Sequence, residues 1–147
     1  MGIMEFDSSL MLQHEEMDNT HREFVSLLNR LAEAPDDQLK QVMDEFITHT
    51  EAHFAQEQKW MEETHFPPLH CHTREHEGVL EITREVRNKI AAGETHYAAV
   101  LAKAVAEWFA NHVASMDAVL AMYLKHGGTL ASCDQASHAC APTSVTP

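Results

Sequence analysis

H-T-E-A-H-F-A-Q-E-Q-K-W-M, running from His49 to Met61, is followed by a break at Phe66-Pro67-Pro68 and then by H-T-R-E-H, His72 to His76. In an α-helix a step of four residues turns the chain by roughly 400°, so residues i and i+4 lie nearly above one another. His53 and Glu57 therefore share one face of one helix, and His72 and His76 share one face of the next. The two prolines end the first helix, because proline removes a hydrogen-bond donor and its ring restricts the residue before it. Two adjacent helices thus each offer two metal-type ligands to a common interior.

Working outward, apolar residues recur with helical spacing on both sides. His21, Phe24, Val25, Leu28 and Leu31 predict a first helix to about residue 34, with Asp18 as its N-cap. Pro35-Asp36-Asp37 predicts a turn and a helix start. Leu39, Val42, Met43, Phe46, Thr50, His53, Glu57 and Trp60 form the inward stripe of a long second helix. His72, His76, Val79, Val86 and Ile90 mark the third, which Gly93 stops. A fourth starts near Thr95, with Leu101, Val105, Trp108, His112, Met116, Val119 and Tyr123 inward, and ends at Lys125-His126-Gly127-Gly128. No stretch alternates as a strand does. Four helices with short connections predict an all-α fold, an up-down-up-down four-helix bundle. Residues 1–17 read as an extended arm that packs Phe6, Leu10, Met11 and Leu12 over the bundle, with His14 solvated beside Glu15 and Glu16. Residues 1–128 are expected to form one domain, and the small, polar residues 129–147 a disordered tail.

The bulk numbers agree with a single domain of 147 residues. Ten Lys and Arg against 23 Asp and Glu give a formal charge of −13, which argues against nucleic acid and anionic membrane as partners. No apolar run reaches the ~20 residues of a membrane span, so membrane insertion is not expected. The first residues lack the basic and apolar segments of a secretory signal, and the expected location is the cytoplasm. Three cysteines are too few for a disulfide framework. Cys71, beside His72, is expected to be an exposed thiol pointing away from any metal. Twelve histidines are many for this length.

Five of those histidines, His21, His53, His72, His76 and His112, fall on inward faces. Burying several imidazoles and carboxylates without partners costs several kcal/mol in total, and a metal centre removes that cost because neutral imidazole and carboxylate are suitable ligands. One buried histidine is ordinary. A set contributed by four helices that can converge at one level is not.

The ordered set D-x-x-H (Asp18 to His21), H-F-x-x-E (His53 to Glu57), H-x-x-x-H (His72 to His76) and W-F-x-x-H-x-x-x-x-D (Trp108 to Asp117) resembles the bacterial hemerythrins over roughly residues 4–126. The resemblance implies a bundle around two non-haem iron ions with a bridging oxo or hydroxo group. It implies His72, His76 and His112 on one iron, His21 and His53 on the other, and Glu57 and Asp117 bridging both. It further implies reversible binding of dioxygen at an open position on the second iron, for storage, delivery or sensing, rather than catalysis. A monomer is expected, with an oxygen-consuming protein as possible partner. Phe54, Trp108 and Phe109 are candidates for the apolar wall of the oxygen pocket. His112 and Asp117 are five residues apart, about 140° around an α-helix, so they should flank Val113 and Met116 instead of stacking. His49, Phe6 and Gln58 stand where relatives often carry Tyr, Trp and Glu, and Phe109 stands at an aliphatic position. His49, one turn from His53, reads as a polar residue above the site, with a supporting donor or a competing ligand as the other readings.

Two alternatives stay open. A diiron protein could instead handle iron, nitric oxide or peroxide. His72-Thr73-Arg74-Glu75-His76 also matches the H-x-x-E-H pattern of a zinc protease, with Glu75 as general base. That reading leaves His21, His53, Glu57, His112 and Asp117 unexplained. In the tail, Cys133, His138 and Cys140 form a weak soft-metal pattern.

Overall fold

Pro35 and the Pro67-Pro68 pair divide the helical pattern at the expected places. In the computed structural model, which describes residues 2–128, α1 spans Glu15–Glu33, α2 Asp36–Glu63 and α3 Leu69–Ala91. The fourth helix is composite: α4 spans Tyr97–His112, a π-helical turn spans Val113–Asp117, and α5 continues over Ala118–Lys125. Each of α1, α2, α3 and α4 packs against its two neighbours in a four-helix bundle, and there is no strand among the described residues. The expected soft-metal pattern of Cys133, His138 and Cys140 lies outside the described residues.

The start of α1 differs from expectation. His14, not Asp18, is the N-cap: its backbone is extended and its Nδ1 accepts the Met17 N–H at 3.2 Å. His14 is therefore half-buried, edge-on to Trp60 at 5.1 Å, rather than solvated. Asp18 lies buried in the first turn, where its Oδ1 accepts the Leu12 N–H at 2.8 Å. A carboxylate there meets the positive end of the helix dipole and also holds the arm. The arm packs as expected through Leu10, Phe6 and Leu12, while Met11 stays exposed. Asn29 clamps it further out, exchanging two hydrogen bonds with the Met4 backbone at 3.1 and 2.8 Å.

The fourth helix departs most. Within the π turn, the Ala118 N–H bonds to the Val113 carbonyl, one residue further back than in an α-helix. That extra residue shifts the inward frame. Val113, Asp117, Leu120 and Ala121 are buried, while Met116 and Val119, expected inward from unbroken α-periodicity, are only half-buried. Tyr123 is buried as expected and donates its hydroxyl to the Thr64 carbonyl, closing the end of α2.

The core is split by a polar layer. A large apolar cluster, including Phe24, Leu28, Phe46, Val86, Leu101 and Val105, fills the half nearer the α1–α2 turn. A smaller one of Met17, Met61, Phe66, Leu120, Ala121 and Tyr123 fills the other end. Between them lie His21, His53, Glu57, His72, His76, His112 and Asp117, each at most 4% exposed. No helix among the described residues is long and apolar enough to cross a membrane.

Candidate metal centre

Four helices deliver the seven residues. His21 comes from the second turn of α1, His53 and Glu57 from one face of α2, His72 and His76 from the start of α3, and His112 from the end of α4. Asp117 comes from the π turn, where the wider turn brings its Oδ1 to 3.1 Å from His112 Nε2. The structure thus replaces the expected flanking arrangement of His112 and Asp117 with close approach. All seven residues singled out in the sequence converge. Their ligand atoms fall into two groups, one of Glu57, His72, His76, His112 and Asp117 and one of His21, His53 and Glu57.

The two oxygens of each carboxylate face different imidazoles. Glu57 Oε1 lies 2.9 Å from His72 Nε2 and 3.4 Å from His76 Nε2. Its Oε2 lies 2.6 Å from His53 Nε2 and 3.6 Å from His21 Nε2. Asp117 Oδ1 lies 3.1 Å from both His72 and His112, and its Oδ2 lies 3.3 Å from His21. Each carboxylate therefore straddles a three-imidazole half and a two-imidazole half.

These close approaches are not all hydrogen bonds. Both oxygens of Asp117 and both nitrogens of His21 are buried without a hydrogen-bond partner. Their atoms converge on common points instead of aiming at one another. Leaving such groups unsatisfied costs roughly 1–3 kcal/mol each, more for charged ones. Cations at those points would satisfy them, and neutral imidazole with carboxylate is the donor set that iron and its neighbours in the first transition row accept. The residues present fit a two-metal group.

The metal-free cluster balances charge by itself. Burial opposes charging His21 and His72, but the close approach and attraction of the Asp117 and Glu57 carboxylates outweigh it and raise both imidazoles to about 9. Burial alone would raise the carboxyls of Glu57 and Asp117, yet the surrounding imidazoles hold both well below their ordinary values. Burial drives His76 the other way, well below 6.5, so it stays neutral.

Aromatic rings enclose the cluster unequally. Phe54 stacks flat on His76 at 3.8 Å and 2°, and Trp108 stacks on His112 at 4.4 Å and 21°. Phe109 meets His21 edge-on at 5.0 Å. Of the three expected wall residues, only Phe109 thus contacts His21, while Phe54 lies between His53 and His76. Phe24, read from the sequence as ordinary core, packs on Phe109 at 4.5 Å and on His53 at 5.6 Å. Its spacing of three from His21 was the available signal.

The remaining candidates fall outside the cluster. Glu75 Oε2 accepts the Trp108 indole N–H at 2.9 Å, so the H-x-x-E-H reading lacks a free general base beside its histidines. Cys71 is half-buried and disulfide-bonded, not the exposed thiol expected. His49 pairs with Glu23 at 3.0 Å, on the outer side of His53.

A family model described as the hemerythrin HHE cation binding domain matches residues 13–124. A bacteriohemerythrin of Ralstonia nicotianae is 41% identical over 128 residues, spanning 87% of this chain and 93% of the relative. One of Stenotrophomonas maltophilia is 29% identical over 129 residues, spanning 85% and 84%. One of Aquifex aeolicus is 30% identical over 114 residues, spanning 74% and 87%. A crystal structure of a hemerythrin point variant superposes with a TM-score of 0.77, covering 88% of this chain and 100% of that one at 19% identity, a likeness of fold.

Proposed function

The chain belongs to the hemerythrin family, and on that premise we propose that it binds dioxygen reversibly at a pair of non-haem irons. His72, His76 and His112 would hold one iron and His21 and His53 the other, with Glu57 and Asp117 each offering an oxygen to both. The single observation that carries this reading is the division of both carboxylates, one oxygen toward each group of imidazoles. A carboxylate serving one metal, or a structural ion pair, needs no such division.

Irons held there supply the reversible electron transfer by which dioxygen is taken up and released. The chain's own residues do the rest. The five imidazoles divide three against two, so the His21–His53 side has fewer side-chain donors to offer a metal. Phe24 and Phe109 cover that side with apolar surface and exclude water, which protects the reduced centre. The rings of Phe54 and Trp108 fix His76 and His112 on the opposite side. Among the described residues, the large exposed apolar side chains Ile3, Met11, Val100 and Met122 are divided among the arm, α4 and α5, in keeping with a monomer.

Anaerobic ferrous loading followed by metal analysis should give about two irons per chain. Exposure to oxygen should then produce a visible absorption band that disappears when oxygen is removed. One zinc per chain and no iron would reject the reading. Oxidation with no recoverable oxygenated form would move the assignment to a peroxide- or nitric-oxide-handling protein.

A further inference from the structure

All seven candidate ligands are at most 4% exposed, so a metal ion has to reach them through the protein. One of them borders the outside. His53 lines a cleft of about 390 Å³ between α1 and α2, together with Glu16, Glu23, His49 and Gln56. Metal-type donors descend this cleft in order: the Glu23 side chain is 68% exposed, His49 17% and His53 2%. Each step is short. Glu23 Oε2 lies 3.0 Å from His49 Nε2, and the centre of the His49 ring lies 6.1 Å from that of His53, one helical turn along α2.

The chemistry of the cleft suits a divalent cation. Two exposed carboxylates, Glu16 and Glu23, stand on its α1 side. Arg22, the neighbouring cation on α1, is engaged elsewhere: its guanidinium lies 4.7 Å from the centre of the Phe6 ring and donates to Asn19 at 2.8 Å. A cleft lined by one sign of charge concentrates ions of the other sign and raises their rate of arrival. An imidazole nitrogen and a carboxylate oxygen, each about 2.1 Å from one ion and at right angles, are about 3 Å apart. That is the separation of His49 Nε2 and Glu23 Oε2. Two donors hold an ion more loosely than either half of the cluster, so an ion caught there can pass on. Dioxygen, uncharged and apolar, gains nothing from such a lining.

We propose that this cleft is the route by which divalent metal ions enter the centre: Glu16 and Glu23 gather the ion, Glu23 and His49 hold it briefly, and His53 receives it. His53 is the partition, since it lines the cleft while its Nε2 lies 2.6 Å from Glu57 Oε2 inside the cluster. Its ring meets Phe24 edge-on at 5.6 Å and 75°, whereas His76 lies under the flat ring of Phe54. A turn of the His53 ring therefore opens the way without parting a stack. This inference rests on the assignment of His53 as a ligand under the proposed function. It concerns how fast metal arrives, not how tightly it is held.

The test is stopped-flow mixing of the metal-free full chain with cobalt(II), read by visible absorption, and the reverse, loss of cobalt to an excess of chelator. Wild type is compared with three variants. Glu16→Gln with Glu23→Gln removes the charge of the cleft. His49→Phe keeps a ring and removes both nitrogens. Glu81→Gln with Glu85→Gln removes the same charge from exposed positions on α3. The cleft pair should slow uptake about tenfold or more and flatten its dependence on salt. His49→Phe should slow uptake and release by a similar factor and leave the equilibrium affinity unchanged, because a route lowers the barrier in both directions. The α3 pair should match wild type. Wild-type uptake rates in the cleft variants would overturn the proposal. Equal slowing in the α3 pair would overturn it too, by marking overall charge as the cause. So would weaker equilibrium binding by His49→Phe with unchanged uptake, which would make His49 a group that holds the metal instead of passing it. If wild type took up no cobalt, the ligand assignment itself would fall, and this inference with it.

Discussion

The two halves of the cluster are held differently. His72, His76 and His112 sit against flat rings, with Phe54 parallel to His76 and Trp108 nearly parallel to His112. His21 and His53 meet ring edges from Phe109 and Phe24 and, beyond His53, a cleft with polar groups. Flat stacking fixes an imidazole by packing and leaves little room beside it. Edge contacts leave the ring face free. Under the proposed function, the rigid half would hold one metal with three imidazoles and the looser half the other with two, where dioxygen would exchange. Glu57 and Asp117 tie the two together.

The most severe break in this comparison removes the tie. Asp117→Ala or Glu57→Ala takes an oxygen from both halves at once, and iron content after anaerobic loading should drop from about two per chain to one or none. His49→Ala should keep both irons. Full iron content in Asp117→Ala would show that the halves assemble independently.

Next in size are the rings. Phe54 and Phe109 are 5% and 0% exposed, so either change to Ala should cost about 3–5 kcal/mol in chemical denaturation. Their functional effects should separate. Phe109→Ala should shorten the lifetime of the oxygenated form with iron content unchanged, because water reaches the His21 side. Phe54→Ala should loosen iron held by His76 instead. If both variants shortened the oxygenated lifetime equally, the division into a rigid and an exchanging half would be wrong.

A third outcome concerns pH. In the metal-free protein His21 and His72 are raised from 6.5 to about 9. The stability tied to their protons is fully present below 6.5 and is lost as pH rises through about 9. Glu57 and Asp117 are depressed below 4.5 and 3.8, so their contribution is present above those values and is lost as pH falls through the lower folded ones. Burial holds His76 below 6.5, so its contribution is present above 6.5 and is lost as pH falls below it; metal-free protein should therefore melt highest near pH 6.5 and fall steadily toward pH 9. Metal replaces the protons, so the loaded protein should not show that alkaline decline, and loading near neutral pH should release protons. Parallel melting curves for the two forms would contradict the charge balance described above.

How much of this was readable in advance depends on whether the signal was local. The i, i+4 pairs His53–Glu57 and His72–His76 follow from helical geometry and two prolines. Asp117 does not. Five residues from His112, it lies off any α-helical face, and only a π turn brings it inward. Nothing in V-A-S-M-D announces that turn, so Met116 and Val119 were read one position out of frame. The start of α1 failed for a similar reason: Asp is the better N-cap by propensity, but here the arm's Leu12 N–H takes the Asp18 carboxylate and His14 caps instead. The stacking of Phe54 and Trp108, and the cleft beside His53, depend on residues brought together by tertiary packing, to which periodicity is blind.

The smallest effect is expected on the far side of the rigid half, where the Glu75 carboxylate accepts the Trp108 indole N–H at 2.9 Å. Trp108 touches His112 through its face and offers its N–H only to Glu75, so it places the ligand by packing and adds no hydrogen bond to it. Glu75→Ala should therefore cost roughly 1–3 kcal/mol of stability, the usual range for a lost bond to a charged group. Trp108 still covers His112 after the change, so both cobalt affinities should stay within about threefold of wild type, well under the 10- to 100-fold loss that removing a hydrogen-bonded partner of a ligand brings. Denaturant unfolding and a cobalt(II) titration of the metal-free chain, both on the same variant, separate the two quantities. If Glu75→Ala weakened one cobalt site about tenfold or more, the indole would have to be counted among the groups that tune the metal.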